Sequence, residues 1–352
     1  MRKELGTFVL LVVLCIALSI LNPSFLASAN LQNLARLIGI YGIFSIGLGL
    51  VIITGGIDLS VGSVFALLGV LLSIFLVDWH LPAAVAVIAV VAISTGLGLI
   101  NGFLITKIKI QAFIVTLCGL LFYRGLARFI ANDETKGFGA AQGFETLQSM
   151  ATGSLFGVPT PFIILVVISL AMWVVIHRSV YGRYLFAVGR NEVAARYSGI
   201  NADLITASAY VLCGLLAGIA GVLLAFYTNS ISPSSHGNFY ELYGIAAAVL
   251  GGCSLRGGEG SIIGILIGTA LLQVLQNLVN LLGIPSSLSE RRRSRRQCSR
   301  QRTGPQAACL PRQGFRRRAT IMIRQDVGRS GDEQAGCLRS SPLSTLASWC
   351  RT

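Results

Sequence analysis

The sequence predicts an all-α protein of the polytopic membrane type, a bundle of about nine helical spans. Hydrophobic residues make up 54% of the chain and charged residues only 12%, whereas soluble domains have about 25% charged residues. The mean hydropathy is +0.74. The apolar residues also lie in long runs, several of which reach the roughly 20 residues that a helix needs to cross a bilayer core.

Nine apolar segments are predicted to enter or span the membrane: residues 5–21, 34–54, 57–77, 82–105, 112–130, 160–177, 203–226, 241–253 and 261–282. The first is interpreted as a retained span rather than a cleaved signal peptide, because another membrane segment follows at once. Residues 131–158 and 227–240 lack apolar periodicity and are predicted to be loops. Asp203 is predicted to cap the seventh span. The eighth segment is short and rich in alanine and glycine.

The distribution of basic residues predicts the orientation of the bundle. If the N-terminus is cytoplasmic and the spans alternate, Lys136 is the only basic residue in the outer loops. The cytoplasmic side then carries Arg2, Lys3, Lys107, Lys109, Arg178, Arg183, Arg190, Arg196 and Arg256. This bias follows the positive-inside rule. It places the polar stretch between the sixth and seventh spans in the cytoplasm.

That cytoplasmic stretch predicts a short amphipathic helix outside the bilayer. Asn191 is a good N-cap residue, and Gly199 is a good C-terminal stop. Glu192 and Arg196 stand four residues apart, in the favourable order for a surface ion pair. An apolar stripe at helical spacing is formed by Val193, Ala194, Tyr197 and Ile200. Two interpretations remain open: a helix that rests on lipid headgroups, or a docking helix for a soluble partner.

Two glycine-rich stretches, residues 54–63 and 251–261, interrupt the helical pattern. The first places Asp58, Ser60 and Ser63 between two spans. An acidic side chain at membrane depth is costly and usually faces the bundle interior or a cavity. In a cytoplasmic turn, however, Asp58 would be no more than a helix cap, and both interpretations stay open. Both stretches contain Gly-Gly-x-x-Leu followed by Gly and Ser, which is weak evidence for an internal repeat.

The sequence offers no catalytic machinery. It contains no Gly-x-x-x-x-Gly-Lys-Ser/Thr motif, so it lacks a P-loop that would cradle the phosphates of ATP. The histidines His80, His177 and His236 all lie at segment ends, and no nucleophile–base pair or metal-ligand spacing stands out. We therefore expect that the chain is not an enzyme and that it binds no metal or cofactor of its own.

Several motifs in combination resemble the permease subunit of carbohydrate ABC importers of the ribose/xylose/arabinose type. The matching stretches are residues 54–63 (TGGIDLSVGS), 101–105 (NGFLI), 113–117 (FIVTL), 124–127 (RGLA), 182–200 and 245–258. The resemblance covers about residues 5–288. It implies a type II ABC-importer-like bundle of about ten transmembrane helices in the bacterial inner membrane.

The resemblance also implies partners. Two such permease subunits, identical or related, would pair with two cytoplasmic ATPase subunits that bind ATP, and would receive sugar from a periplasmic binding protein. The resemblance further implies that the matching cytoplasmic segment is the coupling region that contacts the ATPase. The residues expected to form it are Gly189, Arg190, Asn191, Glu192, Ala194, Ala195 and Arg196.

A sugar path should offer hydroxyl, amide and carboxylate groups. The candidates are Asp58, Ser60, Ser63, Asn101, Glu241 and Asn277. Two alternative functions remain: a branched-chain amino-acid-type ABC permease, which is similar in build, and an ion-coupled secondary carrier. The Gly-Gly-Ile-Asp-Leu-Ser motif favours sugar, and a carrier should have several intramembrane acids, whereas Asp58 is nearly alone.

The last 64 residues differ from the family and from the rest of the chain. Residues 289–352 contain 15 arginines, no lysine and four acidic residues, a net charge of +11 out of +14 for the whole chain. We therefore expect two parts, a transmembrane permease domain at 1–288 and an Arg-rich tail at 289–352, and no nucleic-acid partner for the folded part. A reading-frame shift near Leu288 or a disordered basic tail would each explain the change. Resequencing the locus distinguishes them, because a shift requires an alternative frame that encodes an apolar span.

Overall fold

The computed structural model describes residues 2–139, 144–155 and 157–281. The helices are α1 Arg2–Leu21, α2 Ser28–Ile53, α3 Val61–Ser73, α4 Ala83–Thr106, α5 Ala112–Ile130, α6 Glu145–Thr152, α7 Thr160–His177, α8 Val180–Arg190, α9 Glu192–Tyr197, α10 Ala202–Thr228, α11 Tyr240–Leu250 and α12 Ile262–Leu281. A π-helical turn at Ile74–Asp78 extends α3, and a 3-10 turn at Pro23–Leu26 precedes α2.

Two small antiparallel ribbons complete the described part of the chain. Strand β1 (Lys136–Gly137) pairs with β4 (Ser230–Ile231), and β2 (Ser154–Leu155) pairs with β3 (Val158–Pro159). The first ribbon joins the loop after α5 to the loop after α10. By the orientation that the basic residues predict, both ribbons lie at the outer end of the bundle.

Eight described helices are long and apolar enough to cross a membrane: α1, α2, α3 with its π turn, α4, α5, α7, α10 and α12. This confirms the predicted all-α polytopic fold. The predicted eighth segment forms α11, whose 11 residues rise only about 16 Å. The prediction that 131–158 is a loop throughout was wrong, because this stretch contains α6. The predicted tail at 289–352 lies outside the described residues.

The bundle has an inner layer of α2, α3 and α10. About three quarters or more of the spanning window of each is buried (83%, 78% and 72%), compared with 6% for α1 and 22% for α4. A helix that is apolar on every side is stable only when other helices surround it or when it lies in lipid. The helices α1, α4, α5, α7 and α12 therefore form the outer layer, with one side facing the membrane.

Glycines allow α4 to lie directly against α10. A Cβ at Gly98 would lie 2.4 Å from the Tyr210 carbonyl oxygen, and a Cβ at Gly214 would lie 2.6 Å from the Ser94 carbonyl oxygen. Ser94 Oγ donates to the Gly214 carbonyl at 2.6 Å. Small residues let helix backbones approach closely in lipid, where dispersion forces and hydrogen bonds replace the hydrophobic effect as the cause of packing.

The α4–α10 contact predicts different effects on stability for alanine at two glycines of the same helix. Gly98→Ala should lower the free energy of unfolding by about 1–3 kcal/mol, because the new methyl group forces the two helices apart. Gly96→Ala is the matched control, since a Cβ at Gly96 meets no atom within 4 Å, and it should be neutral or stabilising. Thermal unfolding of the purified proteins in detergent measures both. Equal effects would contradict this view of the interface.

Candidate functional site

The cytoplasmic stretch between α7 and α10 forms two helices, α8 and α9, rather than the single helix that the sequence predicted. Asn191 lies between them in an extended conformation (φ −160°), and its Oδ1 accepts a hydrogen bond from Ala194 N at 3.0 Å. Gly199, at φ +82°, follows α9. The predicted N-cap and C-terminal stop are therefore confirmed, and the break at Asn191 lets α9 leave the direction of α8.

The helix α9 exposes its apolar stripe instead of burying it. Tyr197 is 89% exposed and Val193 is 61% exposed, whereas Ala195, which lies outside the predicted stripe, is buried. Most exposed large apolar residues in the described chain lie on spanning helices, where lipid covers them. These two lie outside the candidate spans. An exposed apolar surface outside the spans indicates a partner or a lipid surface.

A chain of ion pairs ties α9 to two other elements. Arg196 Nη2 lies 2.6 Å from Glu192 Oε1, which confirms the predicted pair, and Arg196 also contacts Asp203 Oδ1. Lys109 Nζ lies 2.6 Å from the same Asp203 oxygen. Hydrogen bonds to Glu192 and then to Asp203 raise the pKa of Arg196. The predicted capping role of Asp203 was wrong, because Asn201 caps α10 by accepting from Leu204 N.

The end of α8 lies against both glycine-rich stretches. A Cβ at Gly189 would lie 1.8 Å from the Ile53 carbonyl oxygen, at the end of α2, and 2.6 Å from Gly258 N. Gly258 N in turn donates to that Ile53 oxygen at 2.8 Å. A Cβ at Gly257 would lie 2.9 Å from Gly55 N. The backbones of three segments thus meet closely. Gly189 and Gly257 have no room for a side chain, whereas Gly55 is needed because its φ is +83°.

The first glycine-rich stretch returns into the bundle after α2 ends. The carbonyl oxygen of Ile57 accepts hydrogen bonds from Thr116 Oγ1 at 3.2 Å and from Tyr210 OH at 3.4 Å. Tyr210 is eight residues beyond Ala202, where α10 begins. It therefore lies about 12 Å along the helix axis from the cytoplasmic end of α10. Non-helical backbone at such depth requires partners within the protein, and Thr116 and Tyr210 supply two of them.

The polar side chains of this stretch form one buried network. Asp58, Ser60 and Asn101 are all less than 4% exposed. Ser60 donates to Asp58 Oδ1 through its backbone N (2.9 Å) and its Oγ (2.6 Å). Asn101 Nδ2 donates to Ser60 Oγ at 3.1 Å, and Tyr123 OH donates to Asn101 Oδ1 at 3.2 Å. Asp58 therefore lies in the bundle interior and not in a cytoplasmic turn.

A second polar cluster adjoins the first turn of α3. Glu241 is buried, and a Cβ at Gly62 would lie 1.9 Å from its Oε2. Arg124 donates to the backbone carbonyls of Gly62, Pro233 and His236. Within the described residues, Glu241 Oε2 and His236 Nε2 have no hydrogen-bond partner. Arg124 and His236 were not among the predicted site residues, although an arginine inside a span is itself a signal of function.

The remaining candidates divide between these clusters and a distant position. Ser63 Oγ donates to the Ser60 carbonyl at 2.7 Å, so Ser63 lies at the start of α3 with the Asp58 network. Asn277 is not near this network. It forms a reciprocal amide pair with Asn30, at 2.8 and 3.2 Å, which joins α12 to the first turn of α2. Its assignment to a substrate path stays a prediction.

The buried network predicts a specific loss of stability in Asn101→Ala. The substitution leaves the Tyr123 hydroxyl without its acceptor, and an unsatisfied buried polar group costs about 1–3 kcal/mol. Thr95→Val on the same helix is the control, because among the described residues Thr95 Oγ1 bonds the Val91 carbonyl one turn away and no other group. Thermal unfolding should separate the two variants clearly, and equal stabilities would contradict the network.

His236 predicts a pH dependence of stability. Burial, followed by the charge of Arg124, lowers the pKa of His236 from 6.5 to about 4. The folded protein therefore holds the imidazole neutral, and its contribution to stability is complete above pH 6.5 and is lost as pH falls towards 4. Between pH 7 and pH 5 the wild type should lose about 2 kcal/mol more than His236→Gln. Parallel stability curves for the two proteins would contradict this assignment.

Comparison with known proteins places both clusters and the cytoplasmic helices within one family. A family model described as branched-chain amino acid transport system / permease component matches residues 30–291. The ribose import permease protein of Escherichia coli strain K12 is 40% identical over 283 residues, 80% of this chain and 88% of that protein. The ribose import permease protein of Bacillus subtilis strain 168 is 42% identical over 285 residues, 81% and 87% of the two chains.

A probable ABC transporter permease protein of Sinorhizobium fredii is 36% identical over 290 residues, 81% of this chain and 84% of the relative. No solved structure matches the chain. The family match covers almost the whole described bundle, including the Asp58 stretch and α8–α9. With eight helices in its described part that are long and apolar enough to cross a membrane, the chain is thus a multi-pass protein of the plasma membrane, and it belongs to the family of permease components of ABC importers.

Proposed function

We propose that this chain is the transmembrane subunit through which a monosaccharide crosses the bacterial inner membrane, driven by ATP hydrolysis on a separate cytoplasmic subunit. The observation that carries the proposal is the similarity, at 40–42% identity, to two proteins that are named ribose import permeases. This similarity extends over four fifths of the chain. It favours a sugar over an amino acid, even though the description of the matching family model names branched-chain amino acids.

We assign the docking of the ATPase to α9 and the residues around it. Arg190, Asn191, Glu192, Ala194 and Arg196 are exposed, so they can contact a partner directly, and they surround Val193 and Tyr197. Gly189 and Ala195, the other two residues predicted for the coupling region, are less exposed. Gly189 packs on the end of α2 and Ala195 is buried. These two residues pack against the rest of the protein and so hold the docking surface in position. ATP binds to the partner subunit and not to this chain.

We assign the sugar path to the polar groups around the start of α3. Asp58, Ser60, Ser63 and Asn101 hydrogen-bond one another in this conformation, so contact with a sugar requires the 54–60 stretch to move. Glu241 offers a carboxylate oxygen that has no partner among the described residues. A second permease subunit, identical or related, would enclose the path. A periplasmic binding protein would deliver the sugar at the outer ends, where the β1–β4 ribbon lies.

Motion of the docked ATPase would reach this path through the contact between α8 and the two glycine-rich stretches. Packed interfaces of this kind tend to have two discrete arrangements rather than a continuous range. The close approach of Gly189 to Ile53 and Gly258 therefore lets a shift of α8 change where the 54–60 stretch begins. This is alternating access that acts through helix ends and does not unfold any span.

Uptake into proteoliposomes tests the proposal and separates it from its rivals. The full chain is reconstituted with its ATPase and its binding protein, and radiolabelled ribose and leucine are offered in turn. ATP-dependent uptake of ribose supports the sugar permease. ATP-dependent uptake of leucine alone would favour the amino-acid alternative. Uptake that needs an ion gradient and no ATP would favour the secondary carrier.

The exposed face of α9 predicts a separation between stability and partner binding. Tyr197→Ser should weaken co-purification with the ATPase at least about tenfold, because an aromatic residue at the centre of an interface contributes 1.4 kcal/mol or more. Its stability should change by less than about 0.5 kcal/mol, since the side chain is 89% exposed. Leu155→Ser, on the outer ribbon, is the exposed control. ATPase binding that survives in Tyr197→Ser would remove α9 from the interface.

A further inference from the structure

The loop between α4 and α5 forms an ion pair, Lys109–Asp203, with the start of α10. The proposed docking surface does not include this pair. Residues 107–111 are all exposed, and Lys109 adopts φ +64°, a left-handed conformation that residues other than glycine rarely take. In that conformation Lys109 Nζ reaches Asp203 Oδ1 at 2.6 Å. The loop is therefore held to the start of α10 through one side chain.

Asp203 also contacts α9, so a single carboxylate oxygen joins three elements. Its Oδ1 accepts from Lys109 Nζ and from Arg196 Nη2, and Arg196 pairs with Glu192 on its own helix. The links run from α9 to the start of α10 and from there to the α4–α5 loop. Lys109 and Arg196 are both cations, and both contact the same oxygen of Asp203. A movement of Asp203 therefore weakens both contacts at once.

The two helices that flank this loop, the α4–α5 hairpin, also contact the buried stretch at residues 57–60. Asn101, five residues before α4 ends, donates to Ser60 Oγ. Thr116, near the start of α5, donates to the Ile57 carbonyl. Each of these contacts lies about one and a half turns from the loop that carries Lys109. A displacement of the loop therefore changes the two helix ends that hold the 57–60 segment in place.

We propose that Lys109 and Asp203 are positioning residues that transmit movement of α9 to the α4–α5 hairpin and so to the buried Asp58 network. This rests on the proposed function, in which α9 is where the ATPase docks. The link is separate from the backbone contact of α8 with Ile53 and Gly258 at the start of the stretch, and it reaches the stretch further along, at Ile57 and Ser60. Exposed ion pairs change an equilibrium by up to about fivefold, so the link adjusts coupling and does not drive it.

The test compares sugar uptake with ATP hydrolysis in proteoliposomes that contain the full permease, its ATPase and its binding protein. Lys109→Met should lower the number of sugar molecules moved per ATP by about two- to fivefold, while ATPase co-purification and ATP hydrolysis stay unchanged. Lys109→Arg keeps the charge and should restore the ratio. Lys107→Met is the matched control, because Lys107 has no ion pair within the described residues, and it should behave as the wild type.

Two results would overturn the inference while the proposed function stands. An unchanged ratio in Lys109→Met would show that the hairpin receives no signal through this link. A parallel loss of ATPase binding would show that Lys109 is part of the docking surface instead. A wild-type complex that hydrolyses ATP without moving sugar is a different outcome, since it would refute the proposed function and with it this inference.

Discussion

The structure depends on one constraint: backbone polar groups that lie at membrane depth outside a helix must find partners within the protein, because lipid offers none. The stretch after α2 meets this constraint with side chains from α5 and α10, and a side chain of α4 bonds the Ser60 hydroxyl of the same stretch. Thr116 and Tyr210 bond the Ile57 carbonyl, and Asn101 bonds Ser60. The helices α4, α5 and α10 are thereby held around α3, and the positions of all four depend on this short segment.

The same constraint explains why the cytoplasmic end is so rich in glycine. Where α2 ends, its last carbonyl at Ile53 accepts from Gly258 N, and Gly189 packs on that carbonyl because it has no side chain. An alanine at Gly189 would place its Cβ 1.8 Å from the Ile53 oxygen and 2.6 Å from Gly258 N, so it would push α8 away and disturb the hydrogen bond between those two groups. The surface proposed to dock the ATPase is therefore continuous, through backbone contacts, with the buried segment that carries Asp58.

The sequence predicted the features that depend on local pattern. The bounds of α5 and α7 are those expected from apolar run length, and the Asn191 cap and the Glu192–Arg196 pair follow from spacing within one turn. It did not predict that Asp203 pairs with Lys109, which is 94 residues away, or that Arg124 bonds the loop before α11. Such contacts depend on which helices become neighbours, and amphipathic period carries no information on this in a bundle that is apolar on most sides. The short helix α6 was missed because eight residues give too few turns for a periodic signal.

Hydrogen exchange of the 54–60 segment tests the central claim most directly. In nanodiscs, peptides that cover this segment should exchange at least about tenfold more slowly than peptides that cover the exposed loop 107–111, because its backbone is packed among four helices. Asn101→Ala should selectively speed exchange in the segment. Exchange of the wild-type segment at the rate of the 107–111 loop would contradict the account, since the stretch would then be a solvated cytoplasmic turn.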